Sequence, residues 1–167
     1  HERLMRPHFL FSLIASLQLV GCTPPEDAPR LVASALEWEI IRQSSDDPFA
    51  DETHATPHYD CPESGYRVEG TIFEIETGEC SYSTFVQPSK VDLSADEEIS
   101  FLVWHLNLWA ENPATAHVAV QLGDTLLWEN HVDIPGAADV YNDNIELGQD
   151  YPIETPATRR AGFCRPK

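Results

Sequence analysis

From Tyr66 onward the chain reads as successive β-strands, runs of apolar, β-branched and aromatic positions set apart by turn residues, until the apolar alternation fades near Ile153. Tyr66 to Glu76 predicts one strand, with Gly78 as its turn, and Cys80 to Val86 predicts the next, stopped by Pro88. Ile99 to Trp109 is the most apolar stretch and carries large apolar groups on both faces, so it is expected at the centre of a sheet. Glu111-Asn112-Pro113 breaks it, and Thr115 to Leu122 follows. A tight Gly123-Asp124 turn then leads into Leu126 to Ile134, stopped by Pro135-Gly136. Frequent breaks with β-branched and aromatic residues between them predict an all-β fold, an antiparallel β-sandwich or jelly roll.

The flanks are less regular. Between Ala33 and Arg42, Leu36, Trp38 and Ile40 alternate with Glu37 and Glu39, which predicts a strand, although Leu, Glu and Ala also favour a short helix. Residues 43–64 are polar and acidic and contain Pro48, Pro57 and Pro62, so a long loop or an ordered excursion is expected there. Residues 155–167 show neither period and hold Arg159, Arg160, Arg165 and Lys167. They read as a basic tail, disordered or aberrant, and the folded domain is expected to span 33–154.

The N-terminal segment has a different logic. Phe9 to Val20 is a mostly apolar run behind Arg3 and Arg6. As a helix it would reach about 18 Å, against a hydrocarbon core of about 30 Å. It therefore suits the apolar core of a signal peptide better than a membrane span. It ends Leu19-Val20-Gly21-Cys22, which resembles the lipobox of bacterial lipoproteins. That resemblance implies cleavage after residue 21 and lipid attachment through the sulfur of Cys22. The membrane would then be a partner by way of the lipid. Residues 22–32, rich in proline, would be the tether. Thr23 after the lipidated cysteine implies the outer membrane of a double-membrane cell envelope.

Removal of residues 1–21 leaves 167 − 21 = 146 residues, ample for one domain with its own core. Its basic residues number 10 − 2 = 8 and its acidic residues 28 − 1 = 27, for a net charge of 8 − 27 = −19. Such a surface repels nucleic acid and anionic headgroups and favours a cationic protein or divalent ions. With Cys22 lipidated, Cys61, Cys80 and Cys164 remain. In an oxidising compartment Cys61 and Cys80 are expected to form a disulfide, leaving Cys164 unpaired.

Candidate chemistry comes from the predicted hairpins. If Ile99–Trp109 pairs with Thr115–Leu122, His105 faces His117. If a three-residue loop joins the next pair, Leu122 opposes Leu126, Val120 opposes Trp128 and His117 opposes His131. His105, His117 and His131 would then line up across three strands as nitrogen ligands for a divalent transition metal, with Glu129 or Asp133 as an oxygen ligand. Trp38, Trp104 and Trp128 are expected in the core. Trp109, near Asn107 and Asn112, is a candidate platform for stacking a glycan ring. Asp139 to Glu146 offers oxygen ligands for calcium without EF-hand spacing. No G-x-S-x-G, H-E-x-x-H or phosphate-binding glycine loop is present, so the chain reads as a non-catalytic binding or structural protein. Glu76-Thr77-Gly78-Glu79-Cys80, Trp104-His105, Ala116-His117 and Ile134-Pro135-Gly136 resemble a group of small uncharacterised bacterial lipoproteins. The resemblance implies a further histidine-rich strand near the end, which this sequence lacks.

Overall fold

Strand follows strand because turn residues interrupt the alternation at short intervals. The computed structural model describes residues 29–50 and 60–164, so Cys22 and the segment before it lie outside the described residues. The strands are β1 (Glu39–Ile40), β2 (Tyr66–Glu69), β3 (Ile72–Ile75), β4 (Tyr82–Pro88), β5 (Glu98–His105), β6 (Ala114–Leu122), β7 (Thr125–Ile134), β8 (Asp139–Glu146) and β9 (Pro156–Cys164). Short 3-10 turns occupy Ser44–Asp46 and Glu63–Gly65. Among the described residues no helix is long and apolar enough to cross a membrane.

One layer is a five-stranded antiparallel sheet in the order β1-β4-β9-β6-β7. The other consists of two ribbons, β2–β3 and β5–β8. Alternation along the strands sends Phe85 of β4, Val120 of β6 and Trp128 of β7 to the face that the ribbons cover. Under β2–β3, Phe73 meets Phe85 edge-on with ring centroids 4.9 Å apart, and Tyr66 meets Phe85 at 5.0 Å. Under β5–β8, Phe101 meets Trp128 at 5.3 Å and Tyr141 meets it at 5.5 Å. A second apolar cluster joins Leu93, Leu122, Leu147, Tyr151 and Ala157, and Trp38 packs against both clusters. The all-β sandwich read from the periodicity is the fold observed.

The disulfide joins Cys61 to Cys80 and ties the end of the acidic segment to the start of β4. Closing a loop of that length restricts the unfolded chain by about 3 kcal/mol. Gly65 makes room for it, since a Cβ there would stand 2.5 Å from the Cys80 sulfur.

Several elements differ from the sequence-based expectation. Residues 156–164 are not a tail outside the domain. They form β9, inserted between β4 and β6, so the domain extends past residue 154. The strand is hard to read because Arg159 occupies an inward position where an apolar residue is the norm. Its guanidinium carbon lies 6.0 Å from the centroid of the Phe73 ring, and burial pushes its pKa down. The Ile99–Trp109 stretch is not a central strand pairing with β6. Its strand ends at His105 and pairs with β8 in the smaller layer.

Residues 66–76 form a hairpin rather than one strand, turning at Gly70 with φ 63°. Residues 33–42 contribute only the two-residue β1, and Leu36 is exposed. Part of the expected acidic loop is anchored: Asp47 and Phe49 are buried against β4. Residues 51–59, with His54 and His58, lie outside the described residues.

Candidate metal centre

β6 and β7 form a hairpin whose two-residue turn, Gly123-Asp124, starts with a glycine at φ 55°. A two-residue turn pairs Leu122 with Thr125, not with Leu126 as the three-residue loop requires. An irregularity between Val120 and Gln121 then admits one extra residue on β7. Beyond it the register is the expected one: Val120 opposes Trp128 and His117 opposes His131. The bulge therefore returns the histidines to a common row.

His117, Glu129 and His131 share the face of the sheet turned away from the ribbons, because Val120 and Trp128 point the other way. The two imidazoles stack with centroids 4.3 Å apart and 6° between their planes. His117 Nε2 lies 3.1 Å from Glu129 Oε2. Glu129 can lean toward His117 because its own cross-strand neighbour is the small Ala119. One nitrogen from each imidazole and one carboxylate oxygen all lie within 4.8 Å of one another. His117 is buried, while Glu129 and His131 are exposed. One donor is thus held by packing and two face solvent, where they can adjust to an ion and leave coordination positions for water.

The remaining candidates go elsewhere. His105 does not join the row, because β5 pairs with β8 rather than β6. Its Nδ1 lies 2.8 Å from the Leu106 carbonyl oxygen and its Nε2 lies 3.3 Å from the Tyr141 hydroxyl. Burial, and then the nearby Asp139 carboxylate, hold that phenol above its ordinary pKa. Asp133 opposes Thr115, and the cluster's carboxylate is Glu129. The calcium candidate Asp139–Glu146 is strand β8, not a loop, and the alternation of a strand sends its oxygens to opposite faces. Trp104 is not a core residue but is 41% exposed on the outer face of its ribbon. Trp109 is 81% exposed, as a stacking platform requires, but the Asn107 side-chain oxygen beside it accepts a 2.8 Å hydrogen bond from the Ala138 amide.

The sequence also hides a second polar group on the outward face. Tyr82 donates to Asp47 Oδ2, and Thr84 Oγ1 donates to Asp47 Oδ1 at 3.1 Å. The Phe49 amide donates to the same Oδ1 at 3.0 Å. These bonds pin residues 47–49 over β4. Tyr82 and His117 both oppose position 162 of β9, a glycine, so the pinned segment and the histidine row flank a position without a side chain. Only the aspartate-rich composition of residues 43–64 hinted at this, since the partner strand lies 35 residues away in sequence. A cleft of about 630 Å³, lined in part by Glu39, Arg42, Asp46, Gln121 and Thr158, is also formed by outward-facing positions of the five-stranded sheet, with no histidine among the described residues that line it.

No family model, curated protein or solved structure matches this chain, so its placement rests on the fold and on the histidine–carboxylate cluster themselves.

Proposed function

We propose that this is an extracytoplasmic binding protein that holds a divalent transition metal through His117, Glu129 and His131, tethered to the membrane by lipid on Cys22. The observation that carries the metal reading is the convergence of two imidazole nitrogens and a carboxylate oxygen within 4.8 Å. Ligands at about 2.0–2.2 Å from a tetrahedral ion stand about 3.4 Å from one another. Modest rotation of the exposed Glu129 and His131 side chains reaches that spacing. Two nitrogens and one oxygen suit zinc, copper or nickel, whereas calcium takes six to eight oxygens. The Cys61–Cys80 disulfide supports a compartment outside the cytoplasm.

Titration calorimetry of the purified protein with zinc, copper(II) and nickel tests the site. One equivalent of at least one of these metals is expected to bind. His131→Ala should weaken binding by about 100-fold or more, since loss even of an outer-shell partner costs 10–100-fold. His131 is exposed, so this variant is expected to keep the fold. Acidification should release the metal, because protons compete for the imidazoles. Equal affinity in the parent and in His131→Ala would dismiss the site, leaving a stacked histidine pair bonded to a glutamate. The tether has its own test. Cys22→Ser is expected to move the protein from the membrane fraction to the soluble fraction, and a variant that stays with the membrane contradicts a lipid anchor.

A further inference from the structure

The outer face of the β5–β8 ribbon combines three features that the metal reading leaves unused. Its inner face is identified by Phe101 against Trp128 and by the buried Val103. Strand alternation therefore turns Glu98, Ser100, Leu102 and Trp104 outward, together with their register partners Glu146, Asn144, Asn142 and Val140. At one end of this face, Leu102 is 58%, Trp104 41% and Val140 63% exposed. Large apolar groups gathered this way mark interaction surfaces rather than ordinary solvated ones.

At the other end Glu98 stands directly opposite Glu146, and both are exposed. Directly opposed like charges destabilise a strand pair. Among the described residues no lysine or arginine forms an ion pair with either carboxylate. Finally, β5 and β8 pair only with each other, so each presents one open edge among the described residues. An open edge is a template for a further strand unless something covers it.

We propose that this ribbon docks an extended basic segment of a partner protein, added as a third strand at an open edge. Its lysine or arginine side chains would lie against Glu98 and Glu146, and its apolar side chains against Leu102, Trp104 and Val140. Charge complementarity selects this occupant. A second copy of the chain, with its formal charge of −18, would bring more carboxylates to a pair that already repel. A neutral glycan would stack on Trp104 yet leave both carboxylates uncompensated. Six residue steps lead from position 98 to position 104, about 20 Å of strand, so a segment of about seven residues spans the face. Main-chain bonds to the edge would supply affinity, and the two ends of the face would supply specificity and direction.

The probe is a fluorescent seven-residue peptide, Lys-Thr-Lys-Thr-Val-Thr-Val, whose alternate positions set two lysines and then two valines on one face, with a control in which glutamate replaces lysine. Binding to the full chain is read by anisotropy and mapped by amide chemical shifts. The lysine peptide is expected to bind, more weakly at high salt, with shifts concentrated on β5 and β8. Trp104→Ser, at an exposed position, should weaken binding by about 30-fold, the size of an aromatic hot spot. Glu98→Lys with Glu146→Lys should weaken it by about tenfold. Asp46→Lys with Glu63→Lys makes the same charge change at exposed positions off the ribbon and should change binding by no more than about twofold. Equal weakening by the two charge pairs would reduce the effect to generic attraction and overturn the proposal. So would shifts that map away from the ribbon, or self-association that Trp104→Ser abolishes.

Discussion

A chain ending at Thr155 is expected to show no cooperative unfolding transition in urea and to lose the far-UV signature of an ordered sheet. The cause is position rather than length. β9 stands between β4 and β6 and exchanges backbone hydrogen bonds with both. Without it, β1–β4 and β6–β7 share no ladder. The buried Phe85 loses the continuous sheet that holds it beneath β2–β3, and the buried Leu122 loses its cluster partner Ala157 of β9. A domain stable by about 5–15 kcal/mol cannot absorb two severed ladders together with the apolar surface they cover. Thr158→Pro is the gentler companion. Thr158 is buried and pairs with Val86 on one side and Gln121 on the other. Proline there removes a ladder donor from a central strand and should cost about 3 kcal/mol or more. Unfolding with unchanged midpoint and slope in either variant would show that β9 is dispensable.

Phe85→Ala is expected to lower the unfolding free energy by about 3–5 kcal/mol, the range for deleting a buried aromatic ring. Phe85 is 0% exposed, and both Phe73 and Tyr66 rest on it edge-on. The β2–β3 ribbon is joined to the five-stranded sheet largely through this contact and through the Cys61–Cys80 bridge. The loss should therefore appear first as added hydrogen exchange in residues 66–75, before global unfolding. Phe85→Leu, which keeps much of the volume, should cost less than half as much. If denaturant titration puts Phe85→Ala within about 1 kcal/mol of the parent, Phe73 and Tyr66 do not pack on Phe85 as a core contact.

The two variants lie on opposite sides of what was readable in advance. Phe85 sits in a segment that reads as a strand between the Gly78 turn and Pro88, although only the packing decides that its face, and not that of Tyr82, lies under β2–β3. β9 does not announce itself, because Arg159 stands at a core position and a charge there erases the binary pattern. The same reasoning covers the site. His117, Glu129 and His131 lie within one hairpin, where a turn of known chemistry sets the register over a short distance. Their convergence was accordingly legible, although the route was not. The expected three-residue loop is in fact a two-residue turn followed by a bulge, and the two give the same pairing beyond Val120. His105 was misplaced because its pairing depends on a strand that lies across two intervening ones.

By itself the amino-acid order determined the all-β class, the hairpin that aligns His117 with His131, and the pairing of Cys61 with Cys80. Each is set by local alternation, turn chemistry or the few ways that a small number of cysteines can combine. Tertiary structure alone decided that β5 joins β8, that residues 156–164 close the main sheet, and that Trp104 faces outward. Those outcomes depend on contacts between segments far apart in sequence, whose relative energies no local pattern encodes. Period-two alternation says which face of a strand is buried, but it does not say against which partner.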